Sequence, residues 1–334
     1  DLLKNYLLSL ARSKLDLEHA QRQWRRIIDT VQSERFPEFL RYYLSLQQRQ
    51  VRRERLFKIM RESVHTDSQG FKLLDELELF SELFVALSDP SHDLWRDSRE
   101  NRRHIRELTL FRVRQAYPVL FAANWRMSPH DFTRVLKLIA VISFRYNMVS
   151  GLNPNELESV YNDTAMKLVA GQINSPLEVF DSLRSVYVSD QKFATDFASM
   201  VLSTAGQKKR LVRYVLYRLE ADLSGSSEHD YEDDPATIEH IFPENPPNGW
   251  FLHFENAAIQ EACVYRLGNY TLIESHLNRE IGNSDYSRKR DIFQASTYAL
   301  TREIDAPEWT PNTIAARQEW MAKRAVHIWR ADFA

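Results

Sequence analysis

Apolar residues along the first two thirds of the chain recur with the period of an α-helix. In the segment FTRVLKLIAVISFRY they form one continuous stripe, made of Phe132, Val135, Leu136, Ile139, Ile142 and Tyr146. Turn-forming sequences separate such segments, and several supply a Ser or Asn that can cap a helix: SDPSHD at 88–93, SGLNPNE at 150–156 and INSPLE at 173–178. The sequence shows no repeat of fixed period. The pattern therefore predicts a bundle of about ten helices upstream of about residue 225.

The pattern changes after a polar, acidic segment, DLSGSSEHDYEDDP at 222–235, which has the composition of a linker. Beyond it, a short apolar run at 237–242 precedes a loop of about twenty residues that contains ENPPNGW. A second apolar run follows at 263–275, and then a charged helical stretch at 276–296. This order is typical of strand, loop, strand and helix.

The predicted fold is mainly α, with a multi-helix domain at 1–225 and a small α+β domain with flanking helices at 226–334. The length of 334 residues and the hydrophobic content of 43% are sufficient for two cores. No apolar stretch reaches the roughly 18 residues that a membrane-spanning helix needs. The candidate LKLIAVISF at 136–144, for example, is interrupted by Lys137.

Composition restricts the cellular setting and the kinds of site. The single cysteine, Cys263, excludes an intramolecular disulfide and a four-cysteine zinc site, and it indicates a reducing compartment such as the cytoplasm. The formal net charge is only −2, from 44 basic and 46 acidic residues, so any nucleic-acid surface must be local. The chain begins at Asp1 with neither an initiating Met nor a signal-peptide pattern, and we expect it to be part of a longer protein.

Two polar residues, Glu239 and His240, interrupt the first apolar run. Hydrolysis of a phosphodiester needs a base to activate water and a cation to neutralise charge on phosphorus, and neutral histidine is the natural base near pH 7. One Mg²⁺ or Mn²⁺ ion prefers oxygen ligands, which Glu239 and Asn278 can supply, and we expect no zinc. Neighbours on a strand point to opposite faces, so Glu239 and His240 can share one phosphate only where the strand ends or twists, which Pro243 favours.

Two stretches, IEHIFP at 238–243 and LGNYTLIESHLNREIGNSDYSRKR at 267–290, resemble the HNH (ββα-metal) nuclease module called DUF1524. This module follows a DUF262 domain in GmrSD-like, modification-dependent restriction enzymes and in related anti-phage nucleases, including those that sense DNA phosphorothioation. The resemblance implies a metal-dependent DNA endonuclease that acts on double-stranded phage or modified DNA, with a DUF262-type domain in the same protein. Residues 36–60 and 211–220 resemble more weakly the helical region that joins those domains.

The resemblance also implies roles for two asparagines. In nucleases of this type the middle Asn orients the catalytic histidine, and this role is carried over to Asn269. Asn278 follows nine positions later (278 minus 269), the interval that separates the middle Asn from the metal-binding Asn in the HNH domain of the RNA-guided CRISPR nuclease. The residue before the histidine is often Asp in HNH nucleases, whereas here it is Glu239, which is one methylene longer.

Three cations in the SRKR sequence, Arg288, Lys289 and Arg290, are predicted to contact DNA phosphates from the motif helix. Basic stretches at 49–58, 95–106 and 208–218 are further candidates for nonspecific contact with a DNA backbone. Acidic residues are interspersed among these cations, and the alternative interpretation is a set of ordinary solvated helix faces.

Structural alternatives remain open for each candidate residue. The Glu239–His240 pair fits an ordinary half-exposed strand, Asn269 fits a turn, and Asn278 fits a helix N-cap. The rival functions are a catalytically silent DNA-docking or assembly module and an RNase toxin. For the endonuclease, the product is a nick or, where self-association brings two active sites together, a double-strand break.

Overall fold

The computed structural model describes residues 2–226, 230–247, 250, 253–254 and 256–333. Parts of two predicted segments lie outside these ranges, namely 227–229 of the linker and 248–249, 251–252 and 255 of the long loop. The prediction of a mainly α protein with a small α+β part is confirmed.

The first compact unit contains residues 2–147, 152–187 and 331–333. Its α-helices are α1 (Leu2–Ser9), α2 (Lys14–Val31), α3 (Phe36–Leu44), α4 (Leu56–Ser63), α5 (Asp67–Ala86), α6 (Arg99–Phe111), α7 (Tyr117–Arg126), α8 (Pro129–Ser143), α9 (Pro154–Val169) and α10 (Pro176–Leu183).

Helix starts in this unit follow the turn sequences. Ser175 and Glu178 form a capping box at the start of α10, and Asn153 caps α9, each with a proline at the first helical position. The predicted apolar stripe is buried along α8 and continues into a π-helical turn at Phe144–Val149. Hydrophobic periodicity and capping chemistry thus point to the same helices.

The second compact unit consists of residues 148–151 and 188–330. Its elements are α11 (Asp190–Ala198), α12 (Gly206–Ser224), β1 (Thr237–His240), α13 (Ala257–Val264), β2 (Tyr270–Ile273), α14 (Ser275–Ile281), α15 (Tyr286–Phe293), α16 (Ala299–Arg302) and α17 (Pro311–Ile328). No helix in the described part of the chain is long and apolar enough to cross a bilayer.

The sheet of this unit has two antiparallel strands, β1 and β2, in the part of the chain that the structure describes. Thr237 pairs with Ile273 at one end, and His240 pairs with Tyr270 at the other. The second strand is shorter than the apolar run at 263–275, because the run begins inside α13 and passes through a 3₁₀ turn at Leu267–Asn269.

The charged stretch after β2 forms two helices, α14 and α15, where the sequence pattern predicts continuous helix. Gly282 ends α14 with a positive φ of 50°, a conformation that glycine adopts without steric cost. Asp285 then caps α15 by accepting a hydrogen bond from the Arg288 backbone.

The longer segment of the second unit begins at residue 188, upstream of the polar segment at 222–235. α12 belongs to this unit because it packs against α16, α17 and β2, and because Arg213 on α12 donates to the backbone oxygens of Tyr231 and Asp234. The polar segment is therefore tied to α12 just before β1. A buried cluster fills the interior around the motif, formed by Ile241, Phe242, Trp250, Phe254, Cys263, Val264, Ile273, Ile281, Tyr286, Phe293, Ile304, Trp309 and Ile314.

Candidate functional site

His240 is the last residue of β1, where the strand turns toward Pro243. Its imidazole packs edge-on against Tyr270, with ring centroids 4.9 Å apart, and lies 6.2 Å from the Tyr265 ring. The side chain is 16% exposed, and Nε2 lies 3.5 Å from the Glu244 carboxylate. Nε2 itself is buried and makes no hydrogen bond.

The surroundings keep His240 neutral. Burial lowers the pKa of its imidazole to about 4, and the Lys289 charge also lowers it, while Glu244 acts in the opposite direction. At pH 7 the imidazole is therefore neutral and carries one ring proton. A neutral, partly accessible imidazole is chemically able to accept a proton from water.

Glu239 forms a buried ion pair with Lys289 of α15. The Lys289 ammonium lies 2.6 Å from Glu239 Oε1 and donates to the His240 carbonyl oxygen at 2.8 Å. Burial raises the pKa of Glu239 and lowers that of Lys289, while each charge stabilises the other. The ion pair thus fixes the end of β1 from the side of α15.

The prediction that Lys289 contacts DNA phosphates from the helix surface is therefore wrong. Its side chain is fully buried, because Tyr286, Lys289 and Phe293 form the inward face of α15. Arg288 is exposed and Arg290 is half-buried, so these two cations of the SRKR sequence remain accessible.

Asn269 is fully buried, and its side chain makes four hydrogen bonds. Oδ1 accepts from the Phe242 backbone at 2.8 Å and from Trp309 Nε1 at 3.0 Å. Nδ2 donates to the carbonyl oxygens of Phe242 and Val264 at 2.8 and 3.1 Å. Asn269 thus bonds the backbone two residues beyond His240, and none of its four side-chain bonds goes to the imidazole.

Asn278 lies within α14, and the N-cap of this helix is Glu274, so the capping interpretation of Asn278 is wrong. Its Nδ2 donates to Thr237 Oγ1 at 2.6 Å. Thr237 and Glu239 project from the same face of β1, about 7 Å apart along the strand. Asn278 therefore lies on the Glu239 face of β1, at the end of the strand remote from His240.

The oxygen donors are chemically suitable for a magnesium-type ion, with two restrictions: Asn278 contacts β1 at Thr237, two residues before Glu239, and Glu239 is paired with Lys289. The Asn278 Oδ1 and Glu239 Oε2 atoms are of the kind that Mg²⁺ and Mn²⁺ bind. Lys289, however, occupies Glu239 Oε1, and its charge weakens the attraction of this carboxylate for a cation. Among the described residues, no three His, Cys, Asp or Glu side chains cluster as a metal site.

A close approach between backbones holds the turn before β2. A Cβ atom on Gly268 would lie 2.2 Å from the Ile314 carbonyl oxygen of α17, so only glycine fits there. Gln318 on the same helix accepts from Gly268 N at 3.3 Å, and Arg317 donates to the oxygens of Gly268 and Tyr270. The register of β2, and with it the position of Asn269, is therefore set by α17.

The sequence patterns did not assign to the site four residues that surround His240 and Asn269: Glu244, Tyr265, Tyr270 and Trp309. Glu244 lies in a loop with no periodic pattern, and Trp309 is 40 residues from the asparagine that it contacts. The expected pairing of the two strands is the sequence signal that could have identified Tyr270, because this pairing places Tyr270 opposite His240.

A comparison with curated proteins finds no match to the chain. Residues 187–324, which contain both strands and α14 and α15, match the family model described as the C-terminal domain of GmrSD restriction endonucleases. This match supports a GmrSD-like nuclease region in the second part of the chain, with a restriction-endonuclease type of function and DNA as substrate.

Proposed function

We propose that the region matched to the GmrSD model is an HNH-type, divalent-metal-dependent DNA endonuclease of the DUF1524 kind, which hydrolyses phosphodiester bonds during restriction of phage DNA. The observation that carries the proposal is the position of the mostly buried His240 imidazole at the end of β1, within a strand–strand–helix motif of the matched region. We place this enzyme in the bacterial cytoplasm and expect a DUF262-type domain in the same protein.

In the proposed reaction His240 is the general base. A water oxygen attacks phosphorus while its proton moves to the imidazole, a new P–O bond forms, and the bond to the departing DNA oxygen breaks. The departing oxygen takes a proton from solvent. Tyr270 supports this role because its ring, packed against His240, restricts the orientation of the imidazole.

Asn269 acts in this scheme as a positioning residue. Its side-chain amide bonds the backbone N–H and carbonyl oxygen of Phe242. The backbone carbonyl oxygen of Asn269 accepts from the Ile241 backbone N–H at 2.9 Å. These bonds hold the chain just beyond His240 and so restrict where the imidazole points.

Glu239 Oε2 and Asn278 Oδ1 would hold one Mg²⁺ or Mn²⁺ ion, and water would supply its remaining ligands. When bound, such an ion neutralises negative charge on the phosphate. Arg288 and Arg290, on the accessible side of α15, are proposed to contact neighbouring DNA phosphates without reading sequence.

Cleavage of supercoiled plasmid tests this proposal. With Mg²⁺ or Mn²⁺ the protein should convert supercoiled plasmid to the open circle, and EDTA or His240→Ala should abolish the conversion. His253→Ala is the matched control, because His253 is a partly exposed histidine of the same unit, and it should retain activity. Equal cleavage by wild type and His240→Ala would refute the role of His240, and preferential cleavage of RNA would favour a ribonuclease toxin.

A second candidate is a catalytically silent module that docks on DNA or on an assembly partner. The buried Glu239–Lys289 pair favours it, because the cation of Lys289 satisfies the carboxylate that the metal would use. Retarded migration of plasmid fragments by the protein, without cleavage at any Mg²⁺ or Mn²⁺ concentration, would support this candidate over the nuclease.

A further inference from the structure

Glu244 lies four residues beyond His240, in the loop that follows β1. Pro243 and the loop return the chain toward the strand end, so that Glu244 Oε1 lies 3.5 Å from His240 Nε2. This is within the range of an ion pair but longer than a hydrogen bond. The Glu244 side chain is 46% exposed. Its carboxylate is therefore free to move the few tenths of an ångström that would shorten this distance to a hydrogen bond.

The two ring nitrogens of His240 have different surroundings. Nε2 is shut off from solvent and has no hydrogen-bond partner, which is an unfavourable state for a buried polar atom. Nδ1 is not among the buried atoms that lack a partner, and the side chain as a whole keeps 16% of its surface exposed. The nitrogen that can receive a proton from water is thus Nδ1, and the one that needs a protein partner is Nε2.

Neighbouring groups leave Glu244 as the acceptor for Nε2. The Tyr270 hydroxyl donates to the Leu202 carbonyl oxygen at 2.7 Å, so its proton is already engaged. The Glu244 charge raises the pKa of the Tyr265 hydroxyl, and a side-chain hydrogen bond to Glu244 acts in the same direction, so the Tyr265 hydroxyl is also engaged. The Glu244 carboxylate is therefore the neighbouring group that remains to accept a hydrogen bond from His240 Nε2.

We propose that Glu244 is the positioning residue of the base: its carboxylate accepts a hydrogen bond from Nε2–H and thereby keeps the lone pair of His240 on Nδ1. This inference rests on the proposed function. During the reaction the water proton moves to Nδ1, the Nε2 proton stays in place, and Glu244 remains a carboxylate that stabilises the imidazolium. Catalytic hydrogen bonds are often long in free enzymes and shorten when substrate binds, which accounts for the 3.5 Å separation.

Three variants test the inference by kinetics. Glu244→Leu removes the acceptor, Glu244→Gln keeps an acceptor oxygen without its charge, and Glu261→Leu makes the same charge change at an exposed carboxylate on the neighbouring helix α13. Because orienting partners of this kind contribute about 10- to 100-fold to activity, Glu244→Leu should lower kcat by that factor while KM changes less than about threefold. Glu244→Gln should recover part of the loss, and Glu261→Leu should match wild type.

The imidazole ¹⁵N resonances of His240 provide a readout independent of cleavage. Wild type should show the tautomer protonated on Nε2, and Glu244→Leu should shift the population toward the other tautomer. Unchanged kcat in Glu244→Leu, a change confined to KM, or identical ¹⁵N signals in the two proteins would each overturn the inference. If wild type cleaves no nucleic acid, the proposed function fails, and the ¹⁵N comparison alone then decides whether Glu244 pairs with His240.

Discussion

The Lys289 ammonium lies 2.6 Å from Glu239 Oε1 and 2.8 Å from the His240 carbonyl oxygen, so one residue of α15 bonds the last two residues of β1. The side chain of Lys289 is fully buried, and that of Glu239 is 9% exposed. The position of the candidate base therefore depends on an ion pair that is almost entirely removed from solvent.

Loss of the lysine charge should destabilise the fold strongly. Lys289→Met leaves Glu239 buried without a counter-charge, and breaking a buried pair in this way costs about 3–5 kcal/mol of the free energy of unfolding. The double variant Glu239→Gln/Lys289→Met, which removes both charges, should recover at least half of that loss. Urea denaturation measures both. Arg288→Met, an exposed change on the same helix, serves as control, and equal losses in the single and double variants would contradict the ion-pair explanation.

Removal of the Asn269 amide should also destabilise the second unit. Asn269→Ala leaves four buried partners unpaired, two on Phe242 and one each on Val264 and Trp309. Each unpaired buried group costs about 1–3 kcal/mol, and relaxation of the surrounding structure offsets part of the combined cost of the four groups. We therefore expect the free energy of unfolding to fall by at least about 3 kcal/mol. Thermal and urea unfolding measure it, with the exposed Asn245→Ala as control. A loss below about 1 kcal/mol would show that these four bonds contribute little.

The contact between Gly268 and α17 predicts a large effect from one methyl group. Gly268→Ala places Cβ 2.2 Å from the Ile314 carbonyl oxygen, and relief requires movement of a backbone segment. We expect destabilisation of about 3 kcal/mol or more, by analogy with overpacked cores. Gly70→Ala in α5 is the control, because its new Cβ meets Leu10 at an ordinary 3.5 Å, and it should be neutral or stabilising. Similar losses at both positions would indicate that steric contact is not the cause.

Local sequence signals predicted the elements better than the contacts of the site. The apolar stripe of α8 and the Ser and Asn caps predicted helices because both are local properties of the chain. The end of β1 at His240 was likewise expected from nearby Pro243. The burial of Lys289 was not, because it depends on the rotation of α15 about its axis, which follows from packing against the rest of the unit.

The asparagines show the same limit of sequence reasoning. The sequence pattern predicted Asn269 on the second strand and Asn278 at the start of the following helix. The structure has Asn269 at the end of the 3₁₀ turn just before β2, and Asn278 as the fourth residue of α14. Spacing along the chain could not reveal that Asn269 would bond Trp309, or that Asn278 would bond Thr237 at the end of β1 remote from His240. Those partners are chosen by packing between segments that are distant in sequence.

The Mn²⁺ concentration that cleavage requires should change when Asn278 is replaced, and much less when its hydrogen-bond partner Thr237 is replaced. Asn278→Ala removes the proposed ligand oxygen and should raise the Mn²⁺ concentration for half-maximal plasmid cleavage about tenfold, with kcat at saturating metal less affected. Thr237→Val removes the same hydrogen bond but keeps the Asn278 oxygen, and it should shift the metal requirement less than threefold. Equal shifts in the two variants would assign the effect to the hydrogen bond rather than to metal binding.

Burial of His240 predicts that stability falls in mild acid. Its pKa is about 4 in the folded protein and about 6.5 in the unfolded chain, so the unfolded chain binds more protons between these values. The free energy of unfolding should therefore be highest above pH 6.5 and should fall as pH decreases toward 4, by about 3 kcal/mol in total from this group. His240→Gln cannot take up this proton. The difference between wild type and His240→Gln, measured by urea denaturation between pH 7 and pH 4.5, should therefore decline with pH, and a constant difference would show that the folded protein protonates His240 as readily as the unfolded chain does.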